Sequence, residues 1–333
     1  MLQSIEQFLF RNLTPLSIRH LQPPDVGGAT GLAASVYRQL EREFQTVPPV
    51  TMHHLDPELM AGVWSACRET LVAGPRRSLK EAVAVAVSTS NRCPYCVQAH
   101  TSFLAGSSEA ADPALAAWAA ATGERGKVAG IVPPFPREIA PAVMGTAVLF
   151  HYINRMANIF LDDTMMPIIG KVPLLREPAF QVFSSVVSGR IAALDVPPGE
   201  FLTPDPETPL LEAFAWSAPN PHVAGGLRRL RAAAVAASTA LDAGARELVE
   251  RRVSAWEGEA PGIGKSWLEQ EVATLPPASR PQARIALLAA IASWAVDERD
   301  ITEFRQAGGD DRALLDTAAW GSWLAAERIA SWL

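Results

Sequence analysis

The chain has 333 residues, 49% of them hydrophobic, enough to fill one large core or two ordinary ones. Its 29 Lys and Arg against 35 Asp and Glu give a formal net charge of -6. No basic run with interleaved aromatics occurs, so nucleic acid is excluded as the expected partner. Three cysteines are too few for a secreted disulfide scaffold, and no apolar stretch reaches the ~20 residues of a spanning helix. The longest, 139–153, is interrupted by Pro141 and His151. Residues 1–21 mix Glu6, Arg11 and Arg19 with apolar positions and carry no signal-peptide pattern. The expectation is a soluble, cytoplasmic protein without membrane contact, in which a close cysteine pair is catalytic or metal-binding rather than structural.

Alanine-rich stretches at helical spacing dominate and alternating β-branched runs are scarce, which predicts an all-α fold. In chain order, helices are expected over 31–44, 57–73, 79–89, 94–104, 113–122 and 138–160. A second set follows over 209–215, 223–239, 243–256, 265–274, 281–296, 302–307 and 312–333. Proline clusters at 131–136 and 196–199 punctuate them. Pro197, Pro198, Pro204 and Pro206 make 193–208 the most linker-like segment. The chain therefore reads as a domain 1–192, a linker 193–208 and a second unit 209–333.

The second unit carries a faint echo of the first. Residues 283–296 resemble 80–93, and 327–333 resemble 154–160. At the implied offset of 203, Arg284 stands for Glu81, Val296 for Cys93, Arg299 for Cys96 and Glu303 for His100. The second unit reads as a degenerate repeat without catalytic groups.

Those four first-unit residues form the candidate site. Pro94 suits the first position of a helix, so Cys93 and Cys96 fall in its opening turn, and Cys93, Cys96 and His100 share one face by their spacings of three, four and seven. The free amides and positive helix dipole there favour a thiolate, which Cys-x-x-Cys pairs can form well below the ~8.5 of a free thiol. Glu81 lies in the apolar run 79–87, where burial is expected to raise its pKa until it exchanges protons with an imidazole. The reading is a Glu81–His100 proton relay, Cys96 as attacking thiolate and Cys93 as resolving partner, with the reverse thiol order open.

Tyr95 and His151 are candidates for positions around these four. Asn154 and Arg155 read as helix-packing residues, Cys67 as an inert packed thiol, and Trp294, Trp320, Trp323 and Trp332 as core or interface residues. His53 and His54 lack the spacing of paired helix ligands, and no phosphate loop or Gly-x-Gly-x-x-Gly occurs, so no cofactor is expected. Zinc is the competing reading, with Cys93, Cys96, His100 and Glu81 as ligands; thiol ligands usually come from turns rather than one helix face, and no metal is expected.

Residues 80–83 and Ser88-Thr89-Ser90-Asn91-Arg92-Cys93-Pro94-Tyr95-Cys96-Val97-Gln98-Ala99-His100-Thr101 carry a family likeness. Glu, eleven residues, Cys-x-x-Cys-x-x-x-His resembles the alkylhydroperoxidase D branch of the carboxymuconolactone decarboxylase superfamily, with 150–156 similar to a downstream helix of that branch. The resemblance implies an all-helical fold, a homo-oligomer and thiol peroxidase activity on organic hydroperoxides or hydrogen peroxide. It further implies an external thiol reductant such as a dihydrolipoyl protein. Tyr95 stands where the branch's peroxidase carries a histidine between the cysteines. The alternatives are a disulfide oxidoreductase that does not act on peroxides and a redox-sensing helical interaction protein.

Overall fold

The computed structural model describes residues 14–105, 112–165 and 194–333. Most of the N-terminal segment read for a signal, and the 192/193 boundary, lie outside them. The described residues are helical and contain no strand, only an isolated bridge between Ile18 and Leu161. In order, the α-helices are α1 Gly31–Glu43, α2 Pro48–Thr51, α3 Pro57–Cys67, α4 Arg77–Ser90, α5 Pro94–Ala105, α6 Pro113–Ala121, α7 Arg125–Val128 and α8 Ala140–Phe160. The second half adds α9 Pro221–Ala237, α10 Ala243–Ser254, α11 Ser266–Val272, α12 Arg280–Ile291, α13 Glu298–Gln306 and α14 Asp311–Ala330. Among the described residues no helix is long and apolar enough to cross a membrane.

Several elements depart from the sequence expectation for local reasons. The helix expected over 57–73 is α only to Cys67 and then widens to a π-turn, Arg68–Val72, closed by Ala73 N donating to Arg68 O at 2.7 Å. The helix expected over 209–215 is a 3₁₀ segment, Glu212–Ser217. α13 starts four residues earlier than expected, because Asp297 and Asp300 form a capping box with an aspartate in place of the usual glutamate. α12 stops at Ile291, and the following 3₁₀ turn Ser293–Ala295 leaves Trp294 39% exposed, whereas Trp320 and Trp323 are buried.

One hydrophobic core runs through α1 to α8 and takes in α9 and the inner faces of α12 and α14. A smaller core lies among α10, α11, α12 and α14. The two halves meet where α3 crosses α9. A Cβ on Gly226 would stand 2.8 Å from Ser65 O and 3.2 Å from Ala66 Cα, and one on Gly62 would stand 3.0 Å from Arg229 O. The helices thus touch backbone to backbone, and neither backbone can yield. Gly226→Ala, which would stabilise a solvent-facing helix, is expected to destabilise this protein by about 1–3 kcal/mol. Chemical denaturation of the variant measures it, and an increase in stability would refute the crossing geometry.

The proline-rich segment after residue 194 is held against the first half. Arg68, 0% exposed, donates to Glu43 Oε2 at 2.6 Å and to Pro197 O at 2.8 Å, and also pairs with Glu69. Glu69 accepts from the Gly199 N–H at 3.1 Å, and the positive φ of 94° at Gly199 suits glycine. A buried guanidinium between two carboxylates has the pairing that makes its burial tolerable.

Candidate active site

The site is built where α4 turns into α5. α4 ends in a Schellman motif, with Arg92 N donating to Thr89 O at 3.2 Å and Cys93 N to Ser88 O at 3.0 Å. Arg92 occupies the left-handed position usually given to glycine, at φ 54°, and its guanidinium lies 4.8 Å from the centre of the Trp294 ring. Cys93 directly follows that turn, Pro94 opens α5, and Val97 N donates back to Cys93 O at 3.0 Å. The chain reversal places α5 against α4 and both against α8. Cys93, Cys96 and Glu81 are each 1% exposed, and His100 is 7% exposed. Both site thiols are free.

Glu81 and His100 meet directly. His100 Nδ1 donates to Glu81 Oε2 at 2.5 Å, and the other oxygen accepts from Arg77 Nε at 2.6 Å, one turn earlier on α4. The imidazole is gripped edge-on by Phe150 at 4.6 Å and Phe103 at 5.2 Å. Burial alone would raise the Glu81 pKa as expected from the sequence, but the Arg77 charge and His100 overcome it and hold the carboxyl below its ordinary value. The expectation of a proton-exchanging, raised Glu81 is therefore corrected: Glu81 is a fixed anion that keeps the His100 proton on Nδ1 and leaves Nε2 as the basic nitrogen. The missed partner was Arg77, whose i, i+4 spacing to Glu81 was the available signal.

The thiols also differ from expectation. The neighbouring Cys93 thiol and burial push the Cys96 thiol well above its ordinary value, against a smaller lowering by the Asn154 side chain. The helix N-terminus does not prevail, because a sulfur removed from water and set beside a second sulfur loses more solvation than the dipole returns. His100 is not among the groups that hydrogen-bond Cys96. Tyr95 is buried beside both thiols, and burial pushes its phenol up. Lys80, 2% exposed, donates to Ala73 O at 2.7 Å, and burial and the Arg77 charge push it down to about 7. Burial pushes Cys67 up to about 12, which fits a packed thiol.

His151 is fully buried on α8. Its Nε2 lies 2.8 Å from Thr122 Oγ1 and its Nδ1 3.1 Å from Asn91 Nδ2. Arg155 does tie helices together, donating to Ala290 O at 2.9 Å and to His151 O at 2.7 Å, and burial pushes it down to about 10. His53 packs in the core with its Nε2 3.0 Å from Tyr152 Oη. Among the described residues no group of three or more His, Cys, Asp or Glu could hold a metal ion.

Two of these buried histidines make folding pH-dependent. Burial lowers His53 to about 4 and His151 well below its ordinary value, so both bind a proton more readily in the unfolded chain. Their contribution is fully present above the unfolded histidine value of ~6.5 and is lost as pH falls below it. Asp316, raised to about 6 by burial, acts in the opposite sense between its ordinary value and 6. The histidine part is isolated by comparing stability curves of the wild type and His151→Gln, which is expected to lose less stability between pH 6.5 and 5. Parallel curves would refute the assignment.

Two buried free cysteines at a helix start, with His100 on the same helix paired to Glu81 from the adjoining helix, form a candidate thiol site on an all-helical frame. The family model of the carboxymuconolactone decarboxylase family matches residues 57–128, which run from the start of α3 to the end of α7 and contain all four site residues. The chain is 33% identical over 335 aligned positions, covering 95% of each chain, to alkyl hydroperoxide reductase Rv2159c of Mycobacterium tuberculosis. The chain belongs to this family, in its alkylhydroperoxidase-like branch, and is an enzyme of that branch. No solved structure matches it.

Proposed function

We propose that this enzyme reduces organic hydroperoxides or hydrogen peroxide through a Cys96/Cys93 dithiol–disulfide cycle. The observation that carries the reading is the ionised Glu81 holding His100 at 2.5 Å one helical turn beyond Cys96. His100 Nε2 takes the Cys96 proton, directly or through a water, and the thiolate attacks the terminal peroxide oxygen. The S–O bond forms as the O–O bond breaks, and His100 returns the proton to the departing alkoxide. Cys93 then attacks the sulfenic acid, the S–S bond forms and water leaves. An external dithiol, such as a dihydrolipoyl group on a partner protein, reduces the disulfide by exchange.

The printed name of the mycobacterial relative supports the hydroperoxide substrate. Burial of both thiols favours a small substrate over exchange with a folded protein disulfide, since each cysteine is 1% exposed. We further propose a cytoplasmic homo-oligomer, and a diverged duplication joined by the segment 193–208. The duplication is supported by Arg284 Nε lying 3.3 Å from Glu303 Oε2, because these residues are the offset counterparts of Glu81 and His100 and are paired in the same way. The second unit would then keep the helix pairing of the first without its thiols. Reduced protein mixed with tert-butyl hydroperoxide should consume one equivalent and lose two thiols, and turn over with reduced lipoamide. Absence of consumption, with insulin disulfides reduced instead, would sink the peroxidase reading.

A further inference from the structure

Cys93 lies under a thin cover. Its two neighbours in the chain, Arg92 and Pro94, are exposed, whereas Cys93 and Cys96 are buried. α5 packs on α4 and α8, so at the Cys93 end the turn 91–93 itself stands between the dithiol and solvent. Two contacts hold that turn. Asn158 on α8 donates through Nδ2 to Asn91 O and to Ser293 Oγ, both at 3.1 Å. One residue on, the Arg92 guanidinium lies 4.8 Å from the centre of the Trp294 ring. Among the described residues Arg92 pairs with no carboxylate, so the indole is the partner of its charge. Arg92 also has a φ of 54°, a left-handed conformation that a residue with a side chain keeps only where its surroundings retain it.

Ser293 and Trp294 come from the second half, in the 3₁₀ turn Ser293–Ala295 that follows α12. At the offset of 203 they are the counterparts of Ser90 and Asn91. The second half has no thiols at the matching positions, yet the segment that corresponds to the thiol turn is the one that braces it. Trp294 is 39% exposed and belongs to neither core, so its ring serves Arg92 rather than the packing of the interior.

We propose that Trp294 is a specificity-determining residue of the thiol site: by holding Arg92 it keeps the turn 91–93 shut over the dithiol and excludes molecules too large to pass a closed turn. The proposal rests on Cys93 and Cys96 being the working thiols. A small hydroperoxide reaches the sulfurs through minor side-chain movements, whereas a bulky one requires the turn to swing out in a local opening. An exposed cation–π contact shifts such an opening equilibrium by about two- to fivefold. The second half thereby sets access to a site to which it lends no reacting group.

The test compares the labelling rates of the reduced protein with fluorescein maleimide, a bulky thiol reagent, and iodoacetamide, a small one, each relative to the wild type. Labelling is read by mass spectrometry on the peptide that carries Cys93 and Cys96, so that Cys67 does not interfere. Trp294→Ala should label about two- to fivefold faster with the maleimide and less so with iodoacetamide. Trp294→Phe, which keeps an aromatic face, should stay near the wild type, and Trp294→Leu, which keeps apolar volume without one, should follow Trp294→Ala. Arg92→Ala should match Trp294→Ala, and the double variant should gain nothing further, because the two residues act through one contact. Unchanged maleimide labelling in Trp294→Ala, additive effects in the double variant, or Trp294→Leu behaving as the wild type overturns the clamp. Equal acceleration with both reagents overturns the selection by size. No hydroperoxide enters the readout. Trp294-dependent labelling in a protein that consumes no peroxide would refute the proposed activity and leave this inference standing.

Discussion

Cys96→Ser is expected to reduce hydroperoxide turnover to background, a loss on the order of 10⁶-fold, the scale on which removal of an attacking group acts in nucleophilic enzymes. Serine keeps the volume and the helix position, so the fold should survive. The hydroxyl is a far weaker acid than a thiol and a poorer nucleophile toward the O–O bond, so it does not replace the attacking thiolate. Cys93→Ser should behave differently. It leaves the first step intact, so one equivalent of peroxide is consumed in a burst and a sulfenic acid remains on Cys96. Mass spectrometry after one equivalent of peroxide, with dimedone as trap, separates the two variants. Sulfenic acid on Cys93 in the Cys96→Ser protein would reverse the order of the thiols.

Glu81→Gln should lower kcat by about 10²–10⁴-fold while leaving the thiols in place, the range attributed to a positioned acid–base group. The amide can still accept one hydrogen bond, but it no longer fixes the proton on His100 Nδ1 or neutralises Arg77, whose Nη2 is already buried without a partner. A half-satisfied buried cluster is expected to cost about 1–3 kcal/mol of stability. The pH dependence has a definite sign. Because Arg77 and His100 hold the Glu81 pKa below its ordinary value against burial, its stabilising contribution is present above the unfolded carboxylate value of ~4.3 and is lost as pH falls through the folded one. The acid limb of the denaturation curve should therefore be shallower in Glu81→Gln. An unchanged acid limb together with unchanged kcat would remove Glu81 from the mechanism.

The helices were readable because their signals are local. Pro57 after Asp56, Pro94 after Cys93 and Pro113 after Asp112 mark three starts, and apolar spacing marks the buried faces. Ends were harder. The π-turn at Arg68–Val72 and the stop at Ile291 answer to packing against other helices, which leaves no mark in the residues themselves. The four site residues were legible for the same local reason: three lie within about two turns at the start of α5, and the fourth is a carboxylate in an apolar run. Arg77 had a spacing signal that was available but not used.

By itself the amino-acid sequence determined the helical class, the place of the dithiol at a helix start and the pairing of Glu81 with His100, because each follows from periodicity, proline placement and one family signature. The protonation states were decided only by the tertiary structure. Glu81 is held ionised by Arg77, from the preceding turn of α4, and by His100 from α5, whereas Cys93 and burial hold Cys96 back from ionising. A pKa depends on distances and burial within a few ångströms, and those distances belong to no stretch of sequence but to the way three helices close upon one another.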